Sequence, residues 1–307
     1  MNYQRDEFIT VIFEAAKKDK KIYFLSADFG APALDQFRNE LPDQFMHCGI
    51  SEQHMIDLAV GLALDGNTVF CYAMAPFVSL RCLEQHKCGA SIMNLPICTI
   101  VAGVGLGYAD AGPTHYATED LACLRSMIGA NVYTASDAHI SKLLAQKLVE
   151  SPEFSFVRLD REPSDIFLPL VDGKQLEKGY RLFGEQQNTD LCIVTCGYMY
   201  GIIQNILLHN KIDNKVSVID VIKNKPFPSI QEKIIGKKQI LVIDEQTSYG
   251  GLSSALLEFL CDNEVNIPVK RMTLPDKHFF ENGGRKSILG VAGLGEDQIY
   301  TKIKEFL

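Results

Sequence analysis

Two stretches of this 307-residue chain combine chemically active residue types with a spacing that gathers them in one place. The first is Gly49-Ile50-Ser51-Glu52-Gln53-His54-Met55, where a short strand over 45–48 is expected to turn into a helix. Such a junction aims side chains into the crevice at the carboxyl ends of strands, where open α/β sheets bind ligands. The plain alternative is a helix start, with a serine cap and an acid in the first turn. The second stretch is Gly103-Val104-Gly105-Leu106-Gly107-Tyr108-Ala109-Asp110-Ala111-Gly112-Pro113-Thr114-His115, directly after the most apolar run of the chain. It invites a dinucleotide reading, but the spacing is GxGxG, Tyr108 stands where the third glycine of GxGxxG belongs, and no long helix follows. A nucleotide-binding module is therefore the least favoured reading. So many glycines past a central strand suggest backbone passing close to a ligand, and place His115 in a site rather than a core.

The scaffold that must hold these residues alternates helical periodicity with short β-rich runs, the pattern of parallel sheets crossed over by helices. Strands are expected at 21–26, 68–73, 96–102, 131–134 and 154–159, with helices at 6–17, 51–64, 78–93, 119–125 and 137–150. The segment 160–179, with Pro163, Pro169 and Gly173 among mixed charges, breaks the rhythm and reads as a linker. A second unit follows, with strands at 191–195, 215–221, 239–244 and 269–273 and helices at 201–209, 251–261 and 297–306. The expected fold class is α/β, two doubly wound and mainly parallel-sheet domains: 1–165, a linker over 166–180, and 181–307.

Composition narrows the partners. The chain is 47% apolar and 22% charged, an ordinary folded protein with ample core for two domains of roughly 150 residues. A net charge of −8 argues against nucleic acid or an anionic membrane, which call for clustered Lys and Arg. Nine cysteines, most within apolar runs and none in a CxxC pair, fit a reducing cytosol better than disulfides or a zinc site. No apolar stretch approaches the ~20 residues that span a bilayer, so a cytoplasmic location is expected.

Gly49-Ile50-Ser51-Glu52-Gln53-His54 resembles the signature around the catalytic glutamate of thiamine diphosphate enzymes of the transketolase and deoxyxylulose-phosphate synthase group, and Gly112-Pro113-Thr114-His115 resembles their second signature. Ser26-Ala27-Asp28 is similar to the opening strand of the transketolase pyrimidine-binding domain, and Phe77 with Arg81, Glu84 and Gln85 to the small subunits of split transketolases. Asp244-Glu245 with Gly250-Gly251 resembles the C-terminal domain of the family, so the similarity covers nearly the whole chain in order. The resemblance implies thiamine diphosphate as cofactor, with Glu52 hydrogen-bonded to N1′ of its aminopyrimidine. An enclosed carboxyl group can share a proton with such a weak ring base. It also implies Phe77 stacked on the pyrimidine, Asp28 and Arg81 ordering the cofactor site, His115 acting on substrate oxygens, and Arg161 clamping a sugar phosphate. Each has a bland counterpart: Phe77 as a core aromatic, His115 as a loop-fixing histidine, Asp28 as a cap, and Arg161 paired with Asp160, Glu162 or another nearby carboxylate. His54 and His86 carry no assignment beyond the similarity, and His139, His209 and His278 read as ordinary surface or helix positions.

The family's Gly-Asp-Gly and Asn-Asn, which hold the diphosphate through Mg²⁺, do not occur; Leu64-Asp65-Gly66-Asn67 and Val171-Asp172-Gly173 read as turns. With the chain near half the length of a one-chain transketolase, the resemblance implies a partner subunit that holds the diphosphate and Mg²⁺, in an α2β2 assembly. Ala111 and Gly103 depart from one-chain transketolases, which carry a donor-recognising aspartate and a phosphate-binding histidine there, so the donor sugar stays open. The leading expectation is two-carbon ketol transfer between sugar phosphates. Its rivals are decarboxylation of a 2-oxo acid, as in deoxyxylulose-phosphate synthase or the β subunit of pyruvate dehydrogenase, and a non-catalytic pseudo-subunit.

Overall fold

A computed structural model describes residues 2–27 and 30–307. Twelve strands occur among them: β1 (Ile22–Ser26), β2 (Phe45–His47), β3 (Thr68–Met74), β4 (Ile97–Ala102), β5 (Asn131–Thr134), β6 (Ser155–Leu159), β7 (Tyr180–Gly184), β8 (Leu191–Thr195), β9 (Val216–Val221), β10 (Lys223–Lys225), β11 (Gln239–Thr247) and β12 (Val269–Leu274). They form a seven-stranded sheet in the order β10-β5-β6-β4-β3-β1-β2 and a five-stranded sheet in the order β12-β11-β8-β9-β7. Every pairing is parallel except β10 with β5 and β7 with β9. The expected pair of mainly parallel α/β sheets is thus present. All residues of β4, β6, β8 and β9 are buried, as strands covered by helices on both faces must be. One apolar cluster runs unbroken from Met55 and Val101 beside the first sheet to Val194 and Leu256 beside the second.

The two sheets are interlocked beyond apolar contact. Strand β10 follows the second sheet's β9 in sequence yet pairs with β5, closing one edge of the first sheet. Arg181 of β7 donates to Asp137, at the N-cap of helix Ala138–Glu150, and to Asp220 of β9, both at 2.8 Å. Within the first unit, Arg158 of β6 makes a bidentate pair with Asp120 (2.8 and 2.9 Å) and donates to Thr134 Oγ1 at 2.8 Å.

Several sequence expectations are corrected. The helix expected over 78–93 is broken into Ala75–Val78, Leu83–Gln85 and a π-helical stretch His86–Ser91. Close packing on helix Glu52–Leu64 accounts for it: a Cβ on Gly89 would lie 2.3 Å from Val60 Cγ2. His86 is fully buried there with Nε2 3.0 Å from the Val78 carbonyl oxygen, and burial lowers its pKa to about 4, so it is a neutral core histidine. The stretch 171–173 is a helix start rather than a bare turn, because Asp172 and Gln175 form a capping box on helix Gly173–Lys178. Strands β7 and β10 and helices Leu34–Glu40 and Gly284–Val291 have no counterpart among the elements expected from the sequence. No helix among the described residues is long and apolar enough to cross a membrane.

Candidate active site

The first sheet carries its candidate residues just past the carboxyl ends of neighbouring strands. Helix Glu52–Leu64 starts five residues after β2, with Ser51 at the N-cap. Ser51 does not cap it through its side chain; the hydroxyl donates back to the Cys48 carbonyl at 2.5 Å. Glu52 is only 5% exposed, and its carboxylate accepts from Arg81 Nη1 at 2.7 Å. Phe77 lies in the short helix that begins directly at the end of β3, and the Arg81 guanidinium sits 4.5 Å from its ring centroid. Ala27, Ile50, Glu52, Ala73, Met74, Phe77 and Arg81 enclose a cavity of about 230 Å³.

That cavity suits one heterocycle. Arg81 occupies Glu52 Oε2, and no hydrogen bond to Glu52 Oε1 occurs among the described residues, so a buried acceptor remains for a ring nitrogen. Ala27, Ala73 and Met74 supply apolar wall and Phe77 an aromatic face. The volume falls below the roughly 300–1,000 Å³ of pockets that enclose a whole small molecule, so the pocket has room for a ring and not for a whole coenzyme with its charged tail.

After β4, the glycine-rich loop carries His115 in a single 3₁₀ turn, Pro113–His115. The His115 ring stands edge-on to Phe77 with centroids 5.2 Å apart, and its Nδ1 is 3.0 Å from Thr114 Oγ1. Tyr108 is 6.3 Å from His115 on its other side, and the Arg161 guanidinium, just past β6, lies 4.6 Å from the Tyr108 centroid. Arg161 Nη1 donates to Asp110 Oδ1 at 2.5 Å, and this contact holds the Asp110 carboxyl below the usual carboxylate range. Both side chains are largely solvated, 41% and 66% exposed.

Glu52, Arg81, Phe77, His115, Tyr108, Arg161 and Asp110 therefore follow one another contact by contact. The structure brings together every expected site residue except Asp28, which lies outside the described residues. Arg161 pairs with Asp110, not with its chain neighbours Asp160 or Glu162. His54 is exposed and has no contact with this group. Tyr108 is the site residue that sequence reasoning misses, because in the motif it figures only as a position that fails to be glycine. Its signal lies at Gly103, where a Cβ would fall 2.0 Å from the Tyr108 ring. The glycines serve the protein's own side chains, correcting the expectation that they admit a ligand: Gly105, at φ +60°, is pressed by Glu245, whose Cδ would be 2.5 Å from a Cβ there.

The descriptions of two known domains fit the chain: "Transketolase, pyrimidine binding domain" over residues 5–164 and "Transketolase, C-terminal domain" over residues 184–299. One of the two subunits of an apulose-4-phosphate transketolase from Phocaeicola vulgatus is 30% identical over 99% of this chain and 97% of its own length. The 1-deoxy-D-xylulose-5-phosphate synthase of the same organism is 26% identical over 98% of this chain, which spans 48% of that enzyme. Among solved structures, a split-gene transketolase described as an inactive beta4 tetramer superposes with a TM-score of 0.83 at 24% identity, covering 99% of this chain and 98% of that one. A transketolase of Pichia stipitis gives 0.80 at 16% identity, with 99% of this chain matched to 46% of that one. Two domain matches in the family's order, joined to full-length similarity with a transketolase subunit, establish that this chain belongs to the transketolase family.

Proposed function

We propose that this chain is one half of a thiamine diphosphate-dependent transketolase, which moves a two-carbon ketol unit between sugar phosphates once joined to a subunit that holds the diphosphate and Mg²⁺. The observation that carries the reading is the buried Glu52 carboxylate on an apolar pocket sized for one ring. When bound, the coenzyme supplies the carbanion-stabilising chemistry. Glu52 holds a proton at the pyrimidine nitrogen, Arg81 fixes the carboxylate from its other oxygen, and Phe77 gives the ring a stacking face. His115, edge-on to Phe77, is placed to pass a proton to or from the substrate carbonyl oxygen. Arg161, backed by Tyr108, offers its guanidinium to a phosphate in exchange for Asp110. A relative that is itself named as a transketolase subunit, matched end to end, supports a second chain.

Co-purification with a Gly-Asp-Gly-bearing partner tests the proposal, with a panel of ketose phosphates and pyruvate as donors. Turnover of a ketose phosphate is expected only when both chains, thiamine diphosphate and Mg²⁺ are present. Full activity of this chain alone refutes it. A second reading, 2-oxo acid decarboxylation, draws on the similarity to deoxyxylulose-phosphate synthase, and carbon dioxide release from pyruvate as the faster reaction would replace the first reading with it.

A further inference from the structure

The loop that carries Tyr108 and His115 is held by the second domain, through a segment no proposed chemical step uses. Strand β11 runs three residues past its last pairing with β8, and those residues, Glu245, Gln246 and Thr247, grip both legs of the loop. On the incoming leg the Leu106 N–H points at Glu245 Oε2 (3.5 Å), and the Gly105 backbone comes so close that only a residue without a Cβ fits. On the outgoing leg Gln246 Nε2 donates to the Ala117 carbonyl (2.9 Å) and Thr247 N–H to the Thr118 carbonyl (2.8 Å). Gly105 and Ala117 are themselves bridged by two backbone hydrogen bonds of 3.0 and 2.9 Å, so the grip falls where the loop closes. Glu245 is fixed in turn by Arg285 of helix Gly284–Val291, whose guanidinium also donates to Asp160, the residue before Arg161. Glu245, Arg285 and Asp160 are each at least 94% buried, and Tyr198 lies against Arg285 at 3.5 Å.

We infer that Glu245 is a positioning residue, by which the C-terminal domain sets the place of the His115 loop and of Arg161 in the working enzyme. A loop of this length between strands opens locally at little cost unless tied at its ends, and misplacement by about 1 Å at a reacting group costs up to about a hundredfold in rate. The inference rests on the proposed function only in taking His115 as a working residue; the tie itself is measurable on the isolated chain.

The test is hydrogen–deuterium exchange of the purified chain and of Glu245→Ala, Glu245→Gln and Gly105→Ala. Loss of one buried hydrogen bond corresponds to about a tenfold change in opening. Amides of residues 105–117 are expected to exchange about tenfold faster in Glu245→Ala and Gly105→Ala, with β4 and β8 unchanged. Glu245→Gln, which keeps an acceptor oxygen beside Leu106, is expected to restore protection. In the reconstituted pair, Glu245→Ala should lower kcat about tenfold to a hundredfold while leaving thiamine diphosphate affinity unaltered. Unchanged exchange over 105–117 in both variants, or equal acceleration in β4 and β8, overturns the inference. A pair inactive before any substitution counts against the proposed function alone, because exchange still decides the role of Glu245.

Discussion

Replacing Glu52 with glutamine separates the working role of this carboxylate from a structural one. The substitution preserves shape, so it opens no cavity, and one oxygen remains to accept from Arg81. Arg81 is 43% exposed and can be solvated where the pair weakens, which places the stability cost on the exposed-pair scale of roughly 0.2–1 kcal/mol. For a chain of this size that is a fall in Tm of at most about 4 °C. The functional loss is far larger. A charge-assisted hydrogen bond to the coenzyme is worth about 1.5–3 kcal/mol, or about 10- to 150-fold in its affinity. Loss of proton transfer at the ring adds about 10²- to 10⁴-fold in kcat, about 3–5 kcal/mol of barrier. Calorimetric titration of thiamine diphosphate into the reconstituted pair, steady-state turnover and a melt of the isolated chain measure the three quantities separately. Turnover within tenfold of the native chain with unaltered coenzyme affinity would refute the assignment of Glu52, as would a Tm loss above about 10 °C that explained the inactivity by unfolding.

Two further predictions concern the buried charges. Arg158→Met leaves the fully buried Asp120 without its bidentate partner, and breaking a buried pair in this way costs about 3–5 kcal/mol, so Tm is expected to fall by about 6–20 °C. A fall below about 3 °C would show the pair to be dispensable, and Asp120→Asn added to Arg158→Met should recover part of the loss. Stability should also depend on pH between the ordinary carboxyl range and neutrality. Burial, outweighing the neighbouring guanidiniums, raises Glu245 from 4.5 to about 7, and Asp244 and Asp220 from 3.8 to about 6. In that window the folded chain binds more protons than the unfolded one, so the slope of unfolding free energy against pH is negative. The contribution of these groups is fully present below their ordinary pKa values and lost as pH rises through about 6 and 7. Urea midpoints from pH 4.5 to 7.5 check it, and a steeper fall in the native chain than in Glu245→Gln assigns the share of Glu245.

The repeating alternation of strand and helix was legible because wholly buried parallel strands such as β4, β6 and β8 leave uninterrupted apolar runs, and their observed bounds lie within a residue of those expected. Less legible were elements whose existence depends on a distant partner. Strand β10, Lys-Asn-Lys, has no apolar pattern and is a strand only because β5 offers an open edge. The helix expected over 78–93 has the right periodicity but is deformed by contact with Val60, which local propensity does not encode. The same division runs through the site. Glu52, Phe77 and His115 stand in motifs, whereas the Arg161–Asp110 pair spans 51 residues and the Glu245 contact with the glycine loop spans 139. The glycines at 103 and 105 announced close approach, but sequence alone left open what approaches.

The order of the site residues follows from the sheet that carries them. Glu52 follows β2, Phe77 and Arg81 follow β3, Tyr108, Asp110 and His115 follow β4, and Arg161 follows β6, while the sheet runs β6-β4-β3-β1-β2. Parallel strands present all these ends on one edge, so neighbours in the sheet become neighbours in the line of contacts. From β2 to β6 is four interstrand steps, about 19 Å at about 4.8 Å each. The enclosed end of that line is a carboxylate in an apolar pocket and the solvated end is a guanidinium. Desolvation favours proton sharing with a neutral ring at the first, and solvent access favours exchange of one anion for another at the second. A ligand lying lengthwise, heterocycle at Glu52 and phosphate at Arg161, places its reacting carbonyl beside His115, which stands between the two ends.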